Sequence, residues 1–146
     1  MSALAIAPHL VVRDAAAAAE WYTGVLGAQE RGRLAVPGGK LMQVELRFGS
    51  STVMLADEFP DMGVLSPLSI GGTATVLHLS TDDVDAVWKR AIDGGAEVRQ
   101  PLAEVFWGER YGQITDPFGH RWGLAQHVRD VPREQLERAV AELFAG

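Results

Sequence analysis

The sequence contains no cysteine, and this absence limits the chemistry that the chain can carry. Without thiols there is no disulfide framework, no thiolate nucleophile and no cysteine-ligated zinc site. Any bound metal ion must therefore be held by aspartate, glutamate or one of the 4 histidines.

Long apolar runs and clusters of basic residues are also missing. No segment approaches the roughly 18 apolar residues of a membrane span, and residues 1–12 lack the basic start and long apolar centre of a secretory signal. The net charge is -6 and the few Lys and Arg are dispersed, which disfavours nucleic acid as a partner. We therefore expect a cytoplasmic protein with neither a membrane nor a nucleic-acid partner, and 146 residues suit one domain.

Hydrophobic periodicity predicts a strand and a helix, followed by further strands, in the first half of the chain. "LAIAPHLVV" is a short apolar run typical of a strand, and "RDAAAAAEWYTGVLG" has the apolar stripe of a helix that ends at Gly27. "LMQVELRFG" and "STVMLAD" then resemble two strands, and the "GS" junction between them favours a tight hairpin.

The second half repeats this plan. "TATVLHLST" predicts a strand, "DDVDAVWKRAIDGG" a helix, and two further strands flank "DPFGH". "EFPDMGVLSPLSIGG" has the composition of an exposed loop between the halves, and "PREQLERAVAELF" predicts a C-terminal helix packed over an open side. The predicted single domain thus comprises module 1 at about 4–57, a linker at 58–72, module 2 at about 73–128 and a helix at 132–145.

The two halves align with one another, which indicates a duplicated unit. "HLVVRDAAAAAEWYTGVLGA" from His9 matches "HLSTDDVDAVWKRAIDGGA" from His78 with one gap. The predicted fold is α+β, with two βαβββ modules whose mixed sheets pair around a concave cavity.

Four segments in this order, "WYTGVLGA", "MLADEFPDMG", "FWGERYG" and "DPFGHRW", resemble the vicinal oxygen chelate superfamily of glyoxalases, bleomycin-resistance proteins and extradiol dioxygenases. The likeness runs from about residue 5 to 128 and is strongest to the PhnB-like branch. It implies a homodimer and a divalent metal held by one side chain from each of four strands.

Most of the metal-ligand positions that this resemblance implies carry side chains that cannot bind a metal ion. They fall on Ala7, Glu45, Val76 and Gly123, of which only Glu45 has a suitable side chain. One oxygen donor does not fix a zinc, nickel or manganese ion tightly, because affinity requires several converging ligands. We therefore expect no metal and no other cofactor.

A displaced metal site is the alternative. His9 and His78 each lie two residues beyond a lost ligand, and a step of two along a strand keeps the same face. Together with Glu45 they would form a His, His and carboxylate set, with Gln43 beside them. A histidine on a strand is also common as a hydrogen-bonded core or pocket group.

Other candidate binding residues cluster in "FWGERYG", where the rings of Trp107 and Tyr111 and the Arg110 guanidinium could grip a flat or anionic ligand. The same residues also suit a loop that packs its aromatics. Arg47 is in register with Glu45 and could hold a ligand carboxylate or pair with Glu45. The "DPFG" segment predicts a turn in which Asp116 binds backbone amides.

Three functions remain open. The function that we favour is a metal-independent protein that binds a small organic molecule, such as an antibiotic or metabolite, between the modules, because the resemblance to bleomycin-resistance proteins implies sequestration. The alternatives are a lyase, isomerase or dioxygenase, with Glu45 as general base or with a displaced metal, and an assembly module without a ligand. Whether the protein is an enzyme is left open. The predicted ligand-binding residues are His9, Gln43, Glu45, Arg47, His78, Trp107, Arg110 and Tyr111.

Overall fold

A computed structural model of the chain describes residues 3–146. The strands are β1 (His9–Val12), β2 (Gln29–Ala35), β3 (Leu41–Phe48), β4 (Ser51–Asp57), β5 (Val76–Ser80), β6 (Glu97–Glu104), β7 (Glu109–Thr115) and β8 (Arg121–His127). The α-helices are α1 (Ala15–Leu26), α2 (Pro67–Ile70), α3 (Val84–Asp93) and α4 (Arg133–Leu143).

The strands form two four-stranded mixed sheets with the same internal order. The first sheet is β1-β4-β3-β2 and the second is β5-β8-β7-β6. In each sheet the first strand pairs in parallel with the last one, and the other pairs are antiparallel. The predicted α+β fold of two βαβββ modules and a C-terminal helix is confirmed.

Both long module helices begin in the same way, as expected of a duplicated unit. The Asp14 carboxylate accepts a hydrogen bond from the Ala17 amide at the start of α1, and Asp83 accepts from the Ala86 amide at the start of α3. These aspartates are N-caps, which satisfy amides that have no partner inside the helix.

The core of the first module lies between α1 and the strands β3 and β4. Tyr22 on α1 is fully buried, and Val44, Leu46 and Leu55 turn their side chains to the same interior. Alternation along β3 places Gln43, Glu45 and Arg47 on the opposite side. We call this side of each sheet, which carries no helix of its own module, the helix-free face.

In the second module α3 packs on β8 and β6. Gly112 on β7 is required for this packing, because a Cβ atom there would lie 2.6 Å from the Trp88 ring. Ile114 and Leu124 share the same face and are fully buried. The residues of β7 and β8 that alternate with these buried ones therefore point to the helix-free face of the second sheet.

The chain divides into two compact units, and the turn at 116–120 belongs to the first. Asp116 accepts hydrogen bonds from the amides of Phe118 and His120, at 2.9 and 3.0 Å, which confirms its predicted role in the turn. Its other oxygen accepts from the Tyr22 hydroxyl. His120 Nε2 lies 2.8 Å from the Val11 carbonyl oxygen and donates to it, so this histidine supports the fold.

The linker is more ordered than the predicted exposed loop. It contains a 3-10 turn at Pro60–Met62 and the short helix α2, and Ser66 is fully buried. Glu58 accepts from the Ser66 amide at 2.8 Å and from the Ser69 hydroxyl at 2.5 Å. Hydrogen bonding from Ser66 and Ser69 lowers the pKa of Glu58 to about 2. This acidic residue of the predicted exposed loop is thus hydrogen-bonded to two serines of the linker.

The helix α4 does not bury its apolar stripe. No residue of α4 is buried, and Leu143 remains 66% exposed. Leu136 and Ala139 are half-buried, so the predicted apolar stripe is only partly covered in the single chain. Among residues 3–146, no helix is long and apolar enough to cross a membrane.

Candidate functional site

The two histidines predicted from the alignment take equivalent places in the two sheets. His9 on β1 lies opposite Met54 on β4, and His78 on β5 lies opposite Gly123 on β8. Both histidines are exposed and belong to different compact units. Each unit therefore presents one histidine at the parallel edge strand of its sheet.

In the first unit, Gln43 and Glu45 lie on the helix-free face and are half-buried. They line a shallow groove of about 230 Å³ with Gly32, Arg33 and Leu34. The row through Glu45 continues across the sheet to Met54 and then His9. Gln43 Nε2 lies 3.5 Å from the Met54 sulfur, so a thioether stands between His9 and Glu45.

Arg47 lies on the same face of β3 as Glu45. Its Nε atom is buried and has no hydrogen-bond partner among the described residues. A buried unpaired donor is costly, which marks Arg47 as a group that a ligand oxygen would satisfy.

A group of interacting polar and aromatic side chains lies in the second unit. The Glu109 carboxylate accepts from Trp107 Nε1 at 2.5 Å through one oxygen. Its second oxygen lies 3.4 Å from His78 Nε2. The His78 ring stacks on Tyr111, with centroids 5.6 Å apart and planes at 17°. Trp107 also contacts Tyr111 edge-on, with ring centroids 5.4 Å apart.

Tyr111 covers Gly123, because its hydroxyl is 2.7 Å from where a Cβ atom of residue 123 would stand. Gln113 Nε2 donates to this hydroxyl at 2.8 Å. Only 7% of Tyr111 is exposed. We call the group formed by His78, Trp107, Glu109, Tyr111 and Gln113 the aromatic cluster.

Arg110 is not part of the aromatic cluster. It lies on the other face of β7, where its Nη2 atom donates to Asp85 of α3 at 2.8 Å. This ion pair raises the pKa of Arg110, first through the hydrogen bond and further through the Asp85 charge. The sequence interpretation grouped Arg110 with Trp107 and Tyr111, whereas the sheet separates it from them.

A groove of about 280 Å³ adjoins the aromatic cluster through Glu109. Asp82, two residues after the end of β5, contributes a second carboxylate. Among residues 3–146, no lysine or arginine lines the groove. The other lining residues supply hydroxyl, amide and imidazole groups and are Ser80, Thr81, Gln126 and His127. The groove can therefore provide polar and acidic contacts next to aromatic rings.

The residues present do not fit the metal centre that the resemblance implies. Ala7 and Val76 have no donor atom, and Tyr111 covers Gly123 where the fourth ligand would project. Among residues 3–146, no three His, Asp or Glu side chains are grouped so that they could hold a metal ion. His78 instead contacts Glu109.

Glu109 and Gln113 are the members of the aromatic cluster that sequence reasoning missed. Both lie two residues from Tyr111 on β7, so the period of a strand places them on its face. Counting by two from Tyr111 would have identified them. The contact between His78 and Glu109 requires the pairing of three strands, which no local pattern reveals.

Comparison with known proteins places the chain among relatives of one superfamily. The model of the family described as Glyoxalase/Bleomycin resistance protein/Dioxygenase superfamily matches residues 4–124. An uncharacterized protein of Mycobacterium tuberculosis is 44% identical over 145 residues, covering 97% of this chain and 85% of the relative.

Solved structures show the same fold. Protein PA1353 from Pseudomonas aeruginosa has a TM-score of 0.73 and 24% identity, with 87% of this chain and 100% of that chain covered. TnmS3 from Streptomyces sp. CB03234 has a TM-score of 0.60 and 23% identity, with 87% and 99% covered.

Proposed function

Since the chain belongs to the glyoxalase, bleomycin resistance protein and dioxygenase superfamily, we propose that it binds a small organic molecule without the superfamily's usual metal ion. The proposed site is the aromatic cluster on the helix-free face of the second sheet. The match of the family model confirms the family resemblance that was predicted from sequence.

One observation carries this proposal, namely the arrangement around Glu109. Its carboxylate engages both the Trp107 indole and the His78 imidazole, and the rings of both flank Tyr111. Aromatic rings that are already held by polar and ring contacts lose little freedom when a ligand contacts them, so more of the contact energy contributes to affinity. The exposed fraction is 37% for Trp107 and 47% for the His78 side chain, so both offer contact surface.

The pattern of ligand sites in proteins supports the same function. Such sites combine apolar or aromatic walls with a few fixed polar groups, and the aromatic cluster with its adjoining groove has both. TnmS3, which shares the fold, is described as an antibiotic binding protein. An antibiotic or another organic metabolite is accordingly the class of ligand to test first.

Ligand binding is tested by titrating the full chain with cationic antibiotics and aromatic metabolites while tryptophan fluorescence is recorded. Trp107→Ala should weaken binding about tenfold, because it removes an aromatic contact and one partner of Glu109. Arg110→Gln is the matched control, since Arg110 lies on the opposite face and should leave affinity unchanged. Equal losses in both variants would refute this location.

The metal-dependent alternative is tested on the same protein. Untagged wild type and His78→Ala are equilibrated with Ni, Zn, Mn and Fe(II), and the retained metal is measured by elemental mass spectrometry. We expect far less than one metal per chain in both proteins. Stoichiometric metal that disappears in His78→Ala would overturn the proposal and establish a displaced centre.

A further inference from the structure

The hydroxyl of Tyr111 retains a proton that no described residue accepts. Gln113 Nε2 is the donor in their hydrogen bond, so the phenol oxygen is the acceptor there. Residues 3–146 show no second partner for this hydroxyl. A phenol proton in this state is available to an acceptor atom that arrives with a ligand.

The place of this hydroxyl is informative. The superfamily resemblance assigns the fourth metal-ligand position to residue 123, which is glycine in this chain. A side chain there would begin 2.7 Å from the Tyr111 hydroxyl and 2.9 Å from its Cε1 atom. The phenol therefore occupies the space into which that ligand would project, and the absence of a Cβ atom is what admits it.

The surroundings of Tyr111 define the shape of a ligand that could use this proton. His78 is parallel to the Tyr111 ring and Trp107 is inclined to it by 65°. Both rings are partly exposed while Tyr111 is buried. A flat unsaturated ring can contact the exposed faces of His78 and Trp107 while one of its substituents reaches the hydroxyl.

We infer that the ligand is a flat aromatic compound that carries a carbonyl oxygen, which accepts a hydrogen bond from the Tyr111 hydroxyl in the place that the lost metal ligand would occupy. This inference rests on the proposed binding function and adds the chemical class of the ligand. Tyr111 is the specificity-determining donor, Gln113 orients its hydroxyl, and Gly123 leaves room for it.

The test compares two probes of the same shape, 2-acetylnaphthalene and 2-ethylnaphthalene, which differ only in the carbonyl group. Dissociation constants are obtained by NMR from the shift of the Trp107 indole resonance, assigned with Trp107→Phe. Wild type should bind the ketone about three- to tenfold more tightly, the range of one net hydrogen bond. Tyr111→Phe should abolish the preference for the ketone, so that the two probes bind this variant with equal affinity.

Gly123→Ala is a second test of the same inference, because the added Cβ atom would displace the Tyr111 hydroxyl. This variant should also abolish the preference for the ketone. Gly32→Ala, a strand glycine of the first sheet with no atom within 4 Å of the added carbon, is the matched control. Equal affinity of wild type for both probes, a preference that survives Tyr111→Phe, or no binding of either probe would overturn the inference. Binding of another antibiotic or metabolite in the fluorescence titration would still support the proposed function, so the two failures are distinguishable.

Discussion

The hydrogen bond from Tyr22 to Asp116 provides a quantitative test of how the first unit is held together. Tyr22 is fully buried and Asp116 is 3% exposed. Tyr22→Phe removes one oxygen atom and retains the ring, so the Asp116 carboxylate loses that donor and keeps the two turn amides. Hydrogen bonds to charged groups contribute about 1.5–3 kcal/mol, and we expect the free energy of unfolding to fall by this amount.

Tyr111→Phe is an internal control, because the chain has only 2 tyrosines and each hydroxyl is hydrogen-bonded. Its partner Gln113 is neutral, so the expected loss is about 0.5–1.5 kcal/mol. Urea unfolding followed by circular dichroism measures the free energy of unfolding of both variants. An unchanged dependence of this free energy on urea concentration would show that only stability has changed. For Tyr22→Phe the melting temperature should fall by about 3–12 °C. A Tyr22→Phe loss no larger than that of Tyr111→Phe would refute the reasoning.

Three further predictions concern the pH response, a close backbone approach and the last helix. The pKa of Glu58 is lowered from its ordinary 4.5 to about 2, so its contribution to stability is complete above pH 4.5 and is lost as the pH falls to about 2; Glu58→Gln should remove this part of the pH dependence of unfolding. Gly108→Ala should destabilise the fold more than Gly38→Ala in thermal unfolding, because both have positive φ but only at Gly108 would the Cβ atom lie 2.1 Å from a backbone oxygen. Leu143→Ser should change the unfolding free energy by less than about 0.5 kcal/mol, since this side chain is 66% exposed.

Most of the fold was predictable because its signals are local and repeated. Each module helix begins at an aspartate and carries an apolar stripe, and the "GS" hairpin appears as Gly49 in a left-handed conformation with φ of 63°. The strands β2 and β6 could not be delimited in this way. All residues of β2 are exposed and β6 contains Pro101, so neither shows the apolar alternation of a half-buried strand.

The candidate site was predictable only in part. Three residues that were singled out from sequence lie together, namely His78, Trp107 and Tyr111. Arg110 was grouped with them because it is adjacent to Tyr111 along the chain, and this grouping was wrong. Neighbouring residues on a strand point to opposite faces. Arg110 therefore contacts Asp85 on one face, whereas Tyr111 joins the aromatic cluster on the other. The position of Tyr111 over Gly123 follows from the pairing of β7 with β8, which is a tertiary property.

The turn at 116–120 also bears on how this chain can be cut or recombined. It lies in the second repeat by sequence but in the first unit by structure. A fragment ending at the linker would lack Asp116, which accepts from the Tyr22 hydroxyl, and His120, which donates to the Val11 carbonyl. The two repeats are therefore not exchangeable parts.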